Sequence, residues 1–471
     1  MNYISTRGEA PILGFEDVLL AGLARDGALY LPQTWPQVPP ETIAAFAKMS
    51  FADIAVEVIH PFTGAAFSRA ELKRMADDAY ASFGHPAIVP LVHVKPGQYI
   101  LELFHGPTLA FKDVAMQLLA RLMDHVLAKR GQRATIVGAT SGDTGGAAIE
   151  AFRGRSQVDV VILFPDGRVS DVQRRMMTTP TDANVHAVAI DGTFDDCQAL
   201  VKAMFNDHAF RDRVSLSGVN SINWARIVAQ VTYYFVAAAA LGAPHRKVSF
   251  AVPTGNFGDI FAGYVAKSMG LPIADLVIAS NANDILPRTV ETGIYEMRGV
   301  TATTSPSMDI QISSNFERLL FEATGRDSAV IRALMGSLSQ SGRFVLSDAV
   351  LKQVREDFDA GRADETETSA AIRAAWREAG ELVDPHTAVA LAVADQDKPV
   401  STVPNIVLST AHAAKFPDAV EAACGVRPQL PAWLDGLMTK SEHIKVMKND
   451  QADVERFILS VSRAAKQGIA G

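Results

Sequence analysis

The sequence predicts an α/β protein of two parallel-sheet, helix-covered domains with an N-terminal module ahead of them. Three observations predict that class. Short β-rich runs at 99–104, 134–138, 158–164, 185–190, 248–252, 275–279 and 405–408 alternate with helical patterns, and strands so apolar require cover on both faces of a sheet. The 471 residues exceed what one hydrophobic core normally supports, so more than one domain is expected. Hydrophobic residues make up 48% of the chain and charged residues 20%, the balance of a soluble globular protein.

Taken in chain order, residues 1–85 mix helical patterns such as 71–81 with Pro-rich turns around 32–40, and form the N-terminal module. Residues 86–97, carrying Pro86, Pro90 and Pro96, read as an extended connector into a catalytic core spanning 86–440. The helix-rich stretch 347–395 interrupts the strand–helix alternation before the run at 405–408, so one domain is entered more than once by the chain. Residues 441–471 read as a C-terminal helical segment.

Composition excludes several functions. The net charge of −8 leaves no basic footprint for nucleic acid or an anionic membrane. The first residues lack an apolar signal region, and the longest apolar run, 231–241, is too short to cross a bilayer. A cytoplasmic location is expected. Cys197 and Cys424 are too few and too isolated for a disulfide framework or a Cys-based zinc site, which suits a reducing compartment.

The chemistry gathers around Lys112. Behind the turn Gly106-Pro107-Thr108, apolar residues at Phe111, Val114, Ala115, Leu118, Leu119 and Leu122 trace one face of a helix, with Lys112 in its first turn. A cation there opposes the positive end of the helix dipole, which lowers an ammonium's pKa and favours a nucleophilic amine of the Schiff-base type. The competing reading is a solvated lysine paired with Asp113. Three further turns follow β-rich runs. Gly138 to Ala148 contains Ser141, Gly142, Asp143, Thr144 and Gly145, whose small residues and helix start suit a carboxylate or phosphate. Residues 253–259 place Gly255, Asn256, Phe257, Gly258 and Asp259 where backbone donors converge on one anion without a Lys or Arg, a cup for a cofactor phosphate that stays bound. Residues 409–416 put Thr410 at the carboxyl end of a buried strand, where ligands bind in open α/β sheets. The chain has neither Gly-Lys nor Gly-x-Gly, so P-loop and dinucleotide fingerprints are absent.

With these motifs, and with the blocks 220–226 (Asn-Ser-Ile-Asn-Trp-Ala-Arg), 313–320 (Ser-Ser-Asn-Phe-Glu-Arg-Leu-Leu) and 3–8 (Tyr-Ile-Ser-Thr-Arg-Gly), the chain resembles the threonine synthase family, fold-type II pyridoxal-phosphate enzymes related to tryptophan synthase β. The resemblance covers nearly the whole length. It implies that Lys112 carries pyridoxal 5'-phosphate, that residues 255–259 wrap its phosphate and that Thr410 faces its pyridine nitrogen. It further implies that Ser141, Gly142, Asp143, Thr144 and Gly145 receive the substrate α-carboxylate, with Asn220, Ser221, Asn223 and Arg226 positioning the rest of O-phospho-L-homoserine. Arg168 and Lys415 are the other candidate cations for substrate phosphate, and His105 and His412 candidate proton shuttles. In relatives the position of Asp143 often holds an asparagine beside the cofactor's phenolic oxygen. An anion there is unfavourable unless rotated away or protonated, so the role of Asp143 stays open. The implied activity is conversion of O-phospho-L-homoserine and water to L-threonine and phosphate, by a monomer or homodimer without a metal. Another fold-type II lyase or dehydratase acting on a hydroxy- or phospho-amino acid is the alternative.

Overall fold

Each of the seven runs read as a strand becomes one in the computed structural model, which describes residues 1–396 and 402–467. They divide between two sheets. The first has six strands in the order Phe358–Arg362, Ile273–Ser280, Val248–Pro253, Asn405–Ser409, Gln98–Glu102 and Leu91–Lys95, parallel except for the last pair. The second has five, all parallel, in the order Ile444–Lys448, Val185–Asp191, Val158–Pro165, Ala134–Ala139 and Leu216–Ser217. The central strand Val158–Pro165 is buried at every position, as helices on both faces demand. The chain runs from the first sheet to the second, returns to the first, and ends on an edge of the second.

Three local readings change, all at sheet edges. The connector 86–97 contains the edge strand Leu91–Lys95, antiparallel to Gln98–Glu102. The helix-rich stretch 347–395 contains Phe358–Arg362, whose Asp359, Gly361 and Arg362 are poor strand formers held in place by pairing with Ile273–Ser280. The C-terminal segment opens with the strand Ile444–Lys448 before its helices Gln451–Val461 and Arg463–Gln467. Its residues 468–471 lie outside the described residues. Edge strands pair on one side only and carry short, polar sequences, so periodicity marks them weakly.

The N-terminal module pairs Tyr3–Ser5 with Tyr30–Pro32 and adds helices, among them Phe51–Thr63 and Arg69–Tyr80. The latter is the helix expected at 71–81, started by a reciprocal cap between Ser68 and Glu71. Its core is continuous with that of the catalytic region. Trp224, which opens the buried helix Trp224–Ala240, is ringed by Tyr3, Trp35 and Phe62 at centroid distances of 6.1, 6.0 and 5.8 Å. Among the described residues no helix is long and apolar enough to cross a membrane.

Candidate active site

Lys112 is the first residue of the helix Lys112–Arg130, and the turn before it is locked from within. Asp113 Oδ2 accepts from the Thr108 amide at 2.8 Å and its Oδ1 from the Thr108 hydroxyl at 2.6 Å. A Cβ on Gly106 would lie 2.4 Å from the Asp113 Cβ, so only glycine fits. The Phe111 amide donates to the Thr410 carbonyl at 2.8 Å and the His412 amide to the Leu109 carbonyl at 3.0 Å. These bonds stitch the turn to the end of the strand Asn405–Ser409 and bring Thr410 beside the lysine. Asp113 is therefore spent on Thr108 and is not the partner of Lys112. Lys112 Nζ lies instead 3.2 Å from Asp143 Oδ2 and 4.8 Å from the Phe111 ring centroid. Burial lowers the pKa of its ammonium, Asp143 opposes that shift, and the charges of Lys415 and Arg226 add to it.

Asp143 begins the helix Asp143–Phe152 after the strand Ala134–Ala139. The Thr140 hydroxyl accepts from the Gly142 and Gly145 amides, both at 2.9 Å, so two of the donors assigned to a ligand serve the turn itself. The amides of Ser141, Asp143 and Thr144 have no partner among the described residues. Asp143 turns its carboxyl onto two lysines. Its Oδ1 lies 2.5 Å from Lys415 Nζ and accepts from Gln173 Nε2 at 2.9 Å. Burial pushes its pKa up, but Lys112 and Lys415 outweigh burial and hold the carboxyl well below the usual range.

The strand Val248–Pro253 and the helix Gly258–Ser268 bracket the 255–259 cup. Ser313 Oγ donates to the Gly255 carbonyl at 2.7 Å, and Asn315 Nδ2 to the Asn256 carbonyl at 2.9 Å. With those carbonyls tied back, the amides of residues 255–259 remain without a partner among the described residues. A Cβ on Gly255 would meet the Ser307 carbonyl oxygen at 2.6 Å, and Phe257 takes a left-handed φ of 62° to turn the chain into the helix. Asp259 turns its carboxyl onto two phenols. Its Oδ1 accepts from Tyr233 at 2.5 Å and Tyr234 at 3.0 Å, while its buried Oδ2 has no partner among the described residues. Burial raises its pKa to about 6, against pulls from the two tyrosines, Lys112 and Arg226.

Arg226 is buried in the helix Trp224–Ala240 with Nη1 donating to the Val219 carbonyl at 3.2 Å and Nε unused. Burial lowers its pKa to about 10. Ser221 lies against Gly258, and its carbonyl accepts from Asn315; Asn220 accepts the Asn223 amide at its carbonyl. Asn223 is engaged elsewhere. Its side chain caps the helix through Ala225 and donates to the Leu19 carbonyl at 3.0 Å, so it serves the module contact and not an open pocket. Arg168 is exposed in the turn after Val158–Pro165, and Lys415 is committed to Asp143. Of the three candidate cations, Arg226 alone is both buried and unspent. His105 pairs with Glu102 at 2.7 Å, and burial lowers the pKa of His412 to about 4.

Several supporting contacts were not legible in the sequence. Gln173 on Asp143, Arg318 on Asn315, and the buried pair Asp384–His386, whose Nε2 accepts the Ser307 amide at 3.2 Å, all act from distant elements. Asp384-Pro385 at a helix start was legible as a cap, but its reach to Ser307 was not.

A buried amine to bond the aldehyde and a cup of free amides for the phosphate are the donors that a phosphorylated aldehyde requires, so the residues present fit pyridoxal phosphate. Comparison with known proteins agrees. Residues 90–408 match the family model "Pyridoxal-phosphate dependent enzyme", residues 2–80 "Threonine synthase N terminus" and residues 387–458 "Threonine synthase, C-terminal". The chain is 50% identical to the threonine synthase of Pseudomonas aeruginosa, over 97% of its own length and 98% of that protein's. It is 62% identical to the crystal structure of the PLP-bound threonine synthase from Brucella melitensis, with TM-score 0.96, covering 98% of this chain and 100% of that one. For the yeast threonine synthase structure the identity is 40% and the TM-score 0.91, covering 98% of each chain. This protein is thus a pyridoxal-phosphate-dependent enzyme of fold type II. Within that class, it belongs to the threonine synthase family.

Proposed function

We propose that the chain converts O-phospho-L-homoserine and water to L-threonine and inorganic phosphate, as a carbon–oxygen lyase. The observation that carries this reading is a buried amine at Lys112 together with a buried guanidinium at Arg226 whose Nε–H has no partner among the described residues. The reaction has two phosphates to hold. Neutral amides of residues 255–259 take the one that stays, and Arg226 brings charge to the one that leaves. When bound, pyridoxal phosphate supplies the electron sink for charge at the substrate α-carbon. Lys112 Nζ would take the α-proton, which requires it neutral at the start; a β-proton must then leave for phosphate to depart from the γ-carbon, a proton returns at the γ-carbon, and water adds its hydroxyl at the β-carbon as a proton returns to the α-carbon. The amides of Ser141, Asp143 and Thr144, at the start of their helix, hold the α-carboxylate. The Thr410 hydroxyl would meet the cofactor's ring nitrogen without a full negative charge, which would weaken the sink and disfavour transamination. Asn220 and Ser221 line the substrate phosphate region beside Arg226.

The free thiols of Cys197 and Cys424 support a reducing, cytoplasmic setting. The test is to incubate the purified enzyme with O-phospho-L-homoserine and follow phosphate and threonine together. Equal release of both is expected; phosphate with 2-oxobutyrate instead would mark a lyase of the dehydratase type. Arg226→Ala should raise KM by about 10- to 100-fold, the worth of a hydrogen bond to a charged group. An unchanged KM would remove Arg226 from the substrate site.

A further inference from the structure

We propose that Lys415 sets the charge state of Lys112: by taking Asp143 as its own counter-ion, it leaves Lys112 free to shed a proton and bond to the cofactor as a neutral amine. The inference rests on the reading of Lys112 as the cofactor-bearing lysine. Lys112, Asp143 and Lys415 are 7%, 4% and 1% exposed, so three charges meet almost without solvent. Two cations share one carboxylate, and the shorter contact, 2.5 Å against 3.2 Å, belongs to Lys415. Lys415 Nζ also donates to the Thr108 carbonyl at 2.8 Å. It has two acceptors to satisfy and Lys112 has one, so the surplus proton leaves from Lys112. The remaining neighbours do not reverse this. Arg226 repels a charge on Lys112, and Asp259, whose pKa burial raises to about 6, is engaged with Tyr233 and Tyr234. Asp143 also feels His386 and accepts from Gln173, and Lys415 acts on Asp113. Without Lys415, Asp143 becomes the private counter-ion of Lys112 and holds its proton.

In the attachment step the Lys112 nitrogen bonds to the aldehyde carbon, and the carbonyl oxygen leaves with both amine hydrogens as water. Its rate therefore follows the neutral fraction of Lys112. The full-length protein, freed of cofactor, is mixed with pyridoxal phosphate across a pH series, and the adduct is trapped with borohydride and located by mass spectrometry. In Lys415→Met the rate at Lys112 should fall about tenfold at neutral pH, the effect of a one-unit pKa rise, and recover as the pH is raised. Lys415→Arg should keep the parental profile. A Lys415→Met profile superposed on the parent, or a loss equal at every pH, overturns the proposal. Should that variant fail to fold, Lys415→Gln, which keeps a donor for the Thr108 carbonyl, is read instead: the same pH-dependent fall supports the proposal and an unmoved profile overturns it. An adduct that forms elsewhere than Lys112 in the parent overturns the reading of Lys112 itself, and not the role of Lys415.

Discussion

Asp259 sits within the phosphate cup by sequence, yet its carboxyl faces two phenols, and its second oxygen is buried without a partner among the described residues. A carboxylate turned toward a phosphate would repel it; turned away, it pays in desolvation. Its folded pKa of about 6 lies above the ordinary 3.8, so the folded state binds this proton more tightly than the unfolded one. Stability from Asp259 is thus present at low pH and is lost as the pH rises through about 6. Asp259→Asn keeps the Oδ1 acceptor and removes the charge. Its stability advantage over the parent should grow as the pH rises from 3.8 to 6 and then level off, at no more than on the order of 3 kcal/mol. Urea unfolding at several pH values measures this, and a pH-independent difference would contradict the assignment. Asp143 follows the opposite sign. Two lysines keep it ionised, and its contribution is present above the ordinary carboxylate range and lost as the pH falls below it.

At the scale of elements, the cup is shaped by a segment far away in sequence. Asn315, just before the helix Phe316–Ala323, binds the Asn256 and Ser221 carbonyls, and Arg318 in that helix holds Asn315 Oδ1. Arg318 also donates to the Tyr30 carbonyl at 3.1 Å and the Ile222 carbonyl at 2.7 Å, and stacks over Trp224 at 5.6 Å. Among the described residues it forms no salt bridge, and burial, opposed by the charge of Glu317, lowers its pKa to about 9. Arg318→Met should destabilise the protein by about 3 kcal/mol, three deprived acceptors being partly offset by the loss of a buried cation. It should also weaken cofactor binding about tenfold, since Asn315 loses its anchor. Denaturant unfolding and cofactor titration separate the two effects; unaltered cofactor affinity would confine Arg318 to stability. The 313–320 block was legible as a motif, but its task was not, because its partners lie at 30, 222 and 256.

Across the whole molecule the two sheets place their catalytic turns at the carboxyl ends of strands, and the N-terminal module closes the back of one wall. Thr6 and Arg7 bind Glu317, Leu19 receives Asn223, and Tyr30 receives Arg318. A chain beginning at residue 81 would uncover Trp224 and leave these groups unpaired. It should show no cooperative unfolding transition by near-ultraviolet circular dichroism, since a core continuous across the boundary cannot be cut without exposing it. A sharp transition in the truncated chain would show that the module folds apart from the core.

Local order determined much of this protein. The seven strand runs, the helix at Lys112 and the glycine turns at 142 and 255 follow from periodicity, from steric need and from backbone donors at helix starts, all set within a few residues. Tertiary structure alone decided which charges meet. Asp143 draws Lys415 from 272 residues away in sequence, and Asp113 spends itself on Thr108 where adjacency had offered it to Lys112. Asn223 becomes a cap and Arg226 an unspent cation by the same means. The reason is physical: burial and the distance between charges fix a group's ionisation, and neither exists until the chain has closed on itself.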